Sequence, residues 1–260
     1  MNSPVYKFLP PSRSTYLDDQ LLRFSQPRAL NDPFEAANFQ LGQLNEQFIS
    51  SVNQAVEKDV EMELRSAGEL KNLTNEFIDQ FGEKVGVLSL SERWNSSLMW
   101  SHYTDRHRGY CVGFHRDHSF FTCVTPQKSN LTPVTYGSSR IEFADELKGL
   151  GTRMLFYKSI EWAYEEESRV VFYWTRVGPM NFIDGKAEFP AGVPVRLIAV
   201  PHDAICELIV GMNADSKLRA QLIQLGTKLG VPVFEAYPSQ TKLALDRELI
   251  SCRANRLTLR

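Results

Sequence analysis

Apolar residues between Ala36 and about Gln80 recur at helical spacing. "NEQFISSVNQAVEKDVEMELR" sets Phe48, Val52, Val56 and Val60 four apart, and "ELKNLTNEFIDQF" sets Leu70, Leu73, Phe77 and Phe81 on one face. Both runs predict amphipathic helices packed on a core. After Gly82 the texture changes to short β-branched runs. Strands are predicted at 85–91 ("VGVLSLS"), 109–115 ("GYCVGFH"), 131–137, 168–175, 195–201, 206–211 and 231–237. Upstream, "PVYKFL" at 4–9 predicts a first strand and "DDQLLRFSQP" a second short element. "SSLMWSHYTD" predicts a short helix capped by Ser96 or Ser97. "NADSKLRAQLIQLGTKLG" predicts a longer helix capped by Asn213 or Asp215, with a glycine stop. "RIEFADELKGLGTRMLFYKSIEW" reads as helical in part.

These elements imply an α+β fold. The expected sheet is mixed and mostly antiparallel, with a helical insertion near 36–82 and a C-terminal strand–helix–strand at about 195–240. No internal repeat, low-complexity tract or composition shift marks a linker, so residues 1–260 read as one domain. The last ten residues, "SCRANRLTLR", read as a basic, solvated tail.

Composition narrows the function classes. The chain is 43% hydrophobic and 11% aromatic, enough for a sizeable core. Its 29 basic and 31 acidic residues leave a net charge of −2, which gives no general attraction to nucleic acid or an anionic membrane. The four cysteines form no C-x-x-C pair, so neither a disulfide framework nor a thiolate zinc site is expected. No stretch resembles a signal peptide or reaches the ~18–20 apolar residues that span a bilayer. The expectation is a cytoplasmic protein with reduced thiols and no membrane partner.

Three stretches carry candidate chemistry. "LMWSHYTDRHRGYCVGF" at 98–114 concentrates aromatic and polar groups, with His102 and Tyr103 adjacent. His102, His107, His115 and His118 cluster in sequence but straddle different elements, and no metal site is predicted. In "ALNDPFE", Asn31 and Asp32 can order their own backbone, and Pro33 fixes a dihedral. Phe34 is then expected in the core and Glu35 in a first helical turn, with Asn31 or Asp32 free to touch a ligand. In "YKSIEWAYEEESRVVFYW" at 157–174, Glu165, Glu167 and Arg169 would share one strand face. Two carboxylates so placed repel, which raises the pKa of one and suits it to acid–base work. The alternative is a solvated helix end and a surface ion pair worth little.

Taken together, "YKF" at 6–8, "ALNDPFE", "VLSLS" at 87–91, W-S-H-Y, "VTY" at 134–136 and K-x(3)-W-x-x-E-x-E-x-R occur in an order that resembles the bacterial family called domain of unknown function 2971. The resemblance runs from about Tyr6 to Gly211. Its members occur widely in bacteria, sometimes beside mobile-element and phage-defence genes, which implies a toxin or phage-defence effector.

A second similarity is to ADP-ribosyltransferases, whose third signature is an E-x-E pair at a strand start. It implies a transferase that uses NAD. Tyr6 or Lys7 would stand on the first strand and Ser89 or Tyr110 on the second. Glu167 would hold the ribose hydroxyl, with Glu165 orienting the acceptor. His102 and Tyr103 would stack on or bond NAD, with Asn31, Asp32 and Arg169 as further contacts. A carboxylate on that hydroxyl binds more strongly as C1′ gains oxocarbenium character, which is transition-state stabilisation. The chain departs from that pattern in having no first-strand His or Arg and no S-T-S triplet. Implied partners are a small-molecule nucleotide and a protein or nucleic-acid acceptor. Two alternatives stand beside this reading. One is a hydrolase or nuclease built on Glu161, Glu165, Glu167 and His102. The other is a non-enzymatic ligand sensor lined by Trp100, Tyr103 and Trp162.

Overall fold

The computed structural model of the chain describes residues 3–32, 34–35, 39–41, 84–125, 128–143, 150–173, 183–185 and 195–251. In chain order the strands are β1 (Val5–Leu9), β2 (Leu21–Phe24), β3 (Phe39–Leu41), β4 (Val85–Ser91), β5 (Tyr110–Phe114), β6 (Thr132–Pro133), β7 (Thr135–Gly137) and β8 (Ile141–Phe143). They continue with β9 (Tyr157–Ser159), β10 (Glu167–Tyr173), β11 (Ile183–Gly185), β12 (Val195–Ala199), β13 (Ile205–Val210), β14 (Val233–Pro238) and β15 (Leu245–Ser251). The α-helices are α1 (Tyr16–Asp19), α2 (Ser97–Tyr103), α3 (Ser119–Thr122), α4 (Leu150–Leu155) and α5 (Ser216–Leu229).

An eight-stranded sheet in the order β15-β14-β13-β5-β1-β4-β10-β6 dominates the molecule. Its neighbours run antiparallel except for β13 and β14, which are parallel and joined by α5. This is the mixed, mostly antiparallel α+β sheet expected from the sequence. Smaller sheets are β11-β12-β2, β3-β8 and β7-β9.

The C-terminal unit follows from local chemistry. Asp215 Oδ1 accepts from the Leu218 N–H at 2.7 Å and caps α5, and Gly230 ends it in the left-handed region at φ 70°. Leu218, Leu222 and Leu225 are buried along one face. A Cβ on Gly226 would lie 2.2 Å from Val233 Cγ2, so its absence lets α5 pack down on β14.

Alternation along the strands sends side chains to two faces of the sheet, and both faces are packed. Val5, Leu88, Leu90, Val170 and Phe172 face one side with Leu222, while Tyr6, Phe8, Cys111 and Ile209 face the other with Met99 and Trp100 of α2.

Several expectations are corrected. Phe34 is 51% exposed, with its ring 5.7 Å from the Arg140 guanidinium carbon, and Glu35 is the residue that goes inside, at 1% exposure. The cause is an Asx turn: Asp32 Oδ1 accepts from the Phe34 N–H at 2.9 Å, and the Asp32 carbonyl from the Glu35 N–H at 3.1 Å. Glu165 is not on a strand. It ends a 3-10 helix, Ile160–Glu165, and Glu166 at φ 43° turns the chain into β10, which starts at Glu167. The 131–137 run is divided between β6 and β7, which join different sheets. β12 pairs with β2 rather than with the C-terminal unit, and β15 adds an edge strand that the sequence pattern did not announce. Within 36–82, Phe39–Leu41 is a strand, and the helices expected there lie outside the described residues. So does the tail from 252. Among the described residues no helix is long and apolar enough to cross a membrane.

Candidate functional site

The site lies where the large sheet splits. β1 pairs with β5 from Val5 to Leu9, but among the described residues it pairs with β4 at Tyr6–Ser91 alone. β1 and β4 part beyond that point, and a cavity of about 580 Å³ opens beside them, floored by Lys7 and Ser89 and roofed by His102 and Tyr103 of α2.

Along one wall runs a buried ionic cluster. Lys158 Nζ lies 2.6 Å from Glu35 Oε1, 2.7 Å from Glu165 Oε2 and 3.2 Å from Glu167 Oε2. Arg169 meets Glu167 through Nε–Oε1 at 2.7 Å and NH2–Oε2 at 2.8 Å, and also reaches Glu35 Oε1 and the Leu155 carbonyl, each at 2.7 Å. None of the five is more than 4% exposed. Backbone ties fix the pair of glutamates: the Glu167 N–H donates to the Tyr136 hydroxyl at 2.8 Å, and Ser91 Oγ donates to the Glu165 carbonyl at 2.7 Å.

Three carboxylates here contact two cations, Lys158 and Arg169, and Lys7 acts on Glu165 and Glu167 through space from the same cavity. The two glutamates respond in opposite senses. Burial pushes the Glu165 carboxyl above the usual range, and Glu167 adds to this against the opposing pull of Lys158. Burial acts on Glu167 in the same direction, but the charges and hydrogen bonds of Arg169, helped by Lys158 and Ser89, overcome it and hold Glu167 at about 2. Lys158 is itself raised: the glutamates around it outweigh its burial. Glu35 Oε2 is buried without a hydrogen-bond partner among the described residues.

α2 brings the roof. Ser96 Oγ caps it by accepting from the Met99 N–H, and Trp100 anchors it through Nε1–H to the Trp94 carbonyl at 2.7 Å. The Tyr103 hydroxyl donates to Glu165 Oε1 and accepts from Asn31 Nδ2 at 2.7 Å. Burial and then Glu165 push the Tyr103 phenol well up. His102 Nδ1 lies 3.1 Å from the Tyr164 hydroxyl. Directly after α2, Asp105, Arg106 and His107 stand in the left-handed region at φ 53°, 57° and 65°. Asn213 clamps that turn, its N–H on the His107 carbonyl at 3.0 Å and Nδ2 on the Arg106 carbonyl at 3.1 Å.

A second wall is cationic. Lys7 Nζ donates across the split to the Ser89 carbonyl at 2.9 Å, and Arg13 and Arg23 line the same cavity. Burial lowers Lys7 to about 8, with Arg23 and Arg13 pushing the same way against the glutamates. Arg23 is lowered to about 10 by burial and then by Arg13.

The residues expected from the sequence divide. Tyr6, Lys7, Asn31, Ser89, His102, Tyr103, Glu165 and Glu167 all line the cavity. Tyr110 does not: it is fully buried, and its hydroxyl donates to the Arg13 carbonyl at 2.8 Å. Asp32 commits one carboxylate oxygen, Oδ1, to the Asx turn and does not line the cavity, and Arg169 sits behind the glutamates rather than in the cavity. Glu161 is exposed and Trp100 wholly buried, so neither the hydrolase carboxylate trio nor the sensor's aromatic trio is assembled. Among the described residues no group of three or more His, Cys, Asp or Glu side chains is arranged to hold a metal.

Sequence reasoning missed Lys158 as the cation between the glutamates, Glu35 as their third member, and Arg13 and Arg23. Lys158 and Glu35 do stand in the motifs quoted above. The three motifs converge here: Asn31 and Glu35 from the first, His102 and Tyr103 from the second, and Lys158, Glu165, Glu167 and Arg169 from the third.

Comparison with curated proteins gives no match. Comparison with solved structures gives none. A family model described as Protein of unknown function (DUF2971) matches residues 99–170, from α2 into β10. The matched segment holds the roof and the ionic wall but not β1 or Glu35, and is narrower than the resemblance drawn from the motifs. Over residues 99–170 the chain is thus similar to the DUF2971 family, as the motifs within that segment indicated.

Proposed function

We propose that the protein is an ADP-ribosyltransferase-like enzyme that takes NAD into this cavity and transfers its ADP-ribose, with Glu165 as the reacting carboxylate. The observation that carries the reading is the meeting of Glu165 and Glu167, both buried, in one cavity under His102 and Tyr103. The cavity, at about 580 Å³, is within the ordinary range for small-molecule sites.

The two glutamates take different roles from those suggested by the family pattern. Glu167 accepts twice from Arg169 and once from Lys158, which occupies most of its acceptor sites. It positions Lys158 and stays ionised. Glu165 accepts from Tyr103 and Lys158 and keeps acceptor capacity for a ribose hydroxyl. In the reaction the C1′–N bond breaks and its electron pair leaves on nicotinamide. An acceptor oxygen or nitrogen bonds to C1′, and its proton passes to Glu165. The raised carboxyl of Glu165 suits it to take that proton. Water, a protein or a nucleic acid would serve as acceptor, in the cytoplasm, and a toxin or phage-defence effector is the cellular role such chemistry fits.

The test is incubation with NAD, following nicotinamide release. Wild type releases it, and Glu165→Gln loses activity by about 100-fold or more while keeping its unfolding temperature. Absence of both NAD binding and release would overturn the reading. The engagement of Glu167 by Arg169 and Lys158 favours one second reading, a sensor, which binds NAD without releasing nicotinamide.

A further inference from the structure

We infer that Lys7, Arg13 and Arg23 form a phosphoryl-binding subsite, which takes the pyrophosphate of a nucleotide ligand. Lys7 comes from β1, Arg13 from the 3-10 turn Pro11–Arg13 and Arg23 from β2, and all three line the one cavity. Each pair among them interacts: Lys7 with Arg23, Lys7 with Arg13, and Arg23 with Arg13.

Like charges gathered in a half-buried wall repel one another, and one that makes no ion pair of its own gains from an added anion. Lys158 and Arg169 answer their own carboxylates at contact distance, whereas no carboxylate makes an ion pair with Lys7 among the described residues. The Lys7 ammonium makes a hydrogen bond to a neutral carbonyl instead, that of Ser89. Arg13 likewise donates NH2 to the Leu21 carbonyl at 2.8 Å. Glu165 and Glu167 act on Lys7 only through space, and a phosphoryl group brings charge and acceptor oxygens to contact distance of Lys7 and Arg13. The split of the sheet adds to this: on the β4 side, Lys7 to Leu9 have no strand partner among the described residues. Main-chain groups therefore edge the same space. The ionic wall repels anions and favours hydroxyls, so the two walls would orient one ligand, its phosphoryl groups on Lys7 and its sugar on Glu165. This deepens the NAD reading but rests on a separate set of residues.

The experiment titrates the full-length protein with inorganic pyrophosphate, and separately with inorganic phosphate, by calorimetry. Wild type is expected to bind pyrophosphate more tightly than phosphate, with affinity falling as salt rises from 50 to 200 mM, roughly as counterion screening dictates. Arg23→Gln should weaken pyrophosphate at least tenfold, and Glu165→Gln should not weaken it. Arg13→Gln decides the matter if Arg23→Gln does not fold. A second readout is acylation of Lys7 at pH 8, mapped by mass spectrometry, which pyrophosphate should block. Folded wild type that binds neither anion, or folded arginine variants that bind as well as wild type, would overturn the subsite. Phosphate binding as tight as pyrophosphate would overturn its assignment to a diphosphate. Pyrophosphate binding without nicotinamide release would leave the subsite standing and sink only the transferase reading.

Discussion

Arg169 and Glu167, two positions apart on one face of β10, lie side by side with two nearly parallel hydrogen bonds of 2.7 and 2.8 Å. Strand geometry places such i, i+2 side chains next to each other, and the planar guanidinium matches the carboxylate fork. Arg169 NH2 also holds Glu35, so the pair ties the turn at Asp32 to the sheet.

Replacing Arg169 with Met would strand two buried carboxylates beside Lys158 alone. Breaking a buried ion pair from one side costs about 3–5 kcal/mol. At ~2–4 °C per kcal/mol for a chain of this size, the unfolding temperature should drop by roughly 6–20 °C. Arg169→Lys should recover only part, because a point charge cannot supply the fork. Thermal unfolding by circular dichroism checks both, and an unchanged midpoint for Arg169→Met would refute a stabilising role.

Glu167 sets an acid limit. Its folded value of about 2 lies below the ordinary 4.5, so the folded state holds this proton less tightly than the unfolded state does. The resulting stability is complete above about pH 4.5 and is lost as pH falls towards 2. Its size is on the order of 3 kcal/mol for a group this buried. Glu165 has the opposite sign: its raised carboxyl contributes most at low pH and loses that contribution as pH rises through its folded value. Urea unfolding at stepped pH should therefore show the gap between wild type and Glu167→Gln closing below pH 4.5. A gap that widens there would contradict the assignment.

The turn after α2 stores strain. A left-handed residue with a side chain costs ~1–2 kcal/mol, and glycine at the same place adds only ~0.5–1 kcal/mol of lost chain entropy. Arg106 is exposed, and its carbonyl, which Asn213 uses, survives substitution. Arg106→Gly should therefore stabilise the protein by about 0.5–1 kcal/mol. A lower urea midpoint would show that the arginine side chain contributes more than the strain removes.

Gly109 leads into β5 under tight packing. A Cβ there would lie 2.0 Å from the Leu9 carbonyl oxygen, and backbone cannot move aside as a side-chain tip can. Gly109→Ala should cost about 1–3 kcal/mol or more, and it should also loosen the β1 edge that forms the cavity floor. Amide exchange along β1 reports this, and unchanged protection would count against the packing account.

The sequence by itself determined the elements whose signals are local. Weak alternation marked β1, and short apolar, β-branched runs marked β4, β5 and β10, which are buried along nearly their whole length. Asp215 and Gly230 bracketed α5, because caps act on their own helix ends. The chemistry-bearing motifs were legible as residues, and eight of the eleven expected site positions do reach the cavity. The tertiary structure alone decided how they meet. Glu165 and Glu167 come together across a left-handed Glu166 rather than along a strand, and the cation between them, Lys158, arrives from another strand. The inward turn of Glu35 and the outward turn of Phe34 were also decided there, since a carboxylate that finds Lys158 and Arg169 can be buried where periodicity expects an aromatic ring. Tyr110 left the site because β5 lies on the far side of β1 from the split, and no β5 residue lines the cavity. Ion pairing and sheet splitting act between residues far apart in the chain, and spacing along one segment carries no record of them.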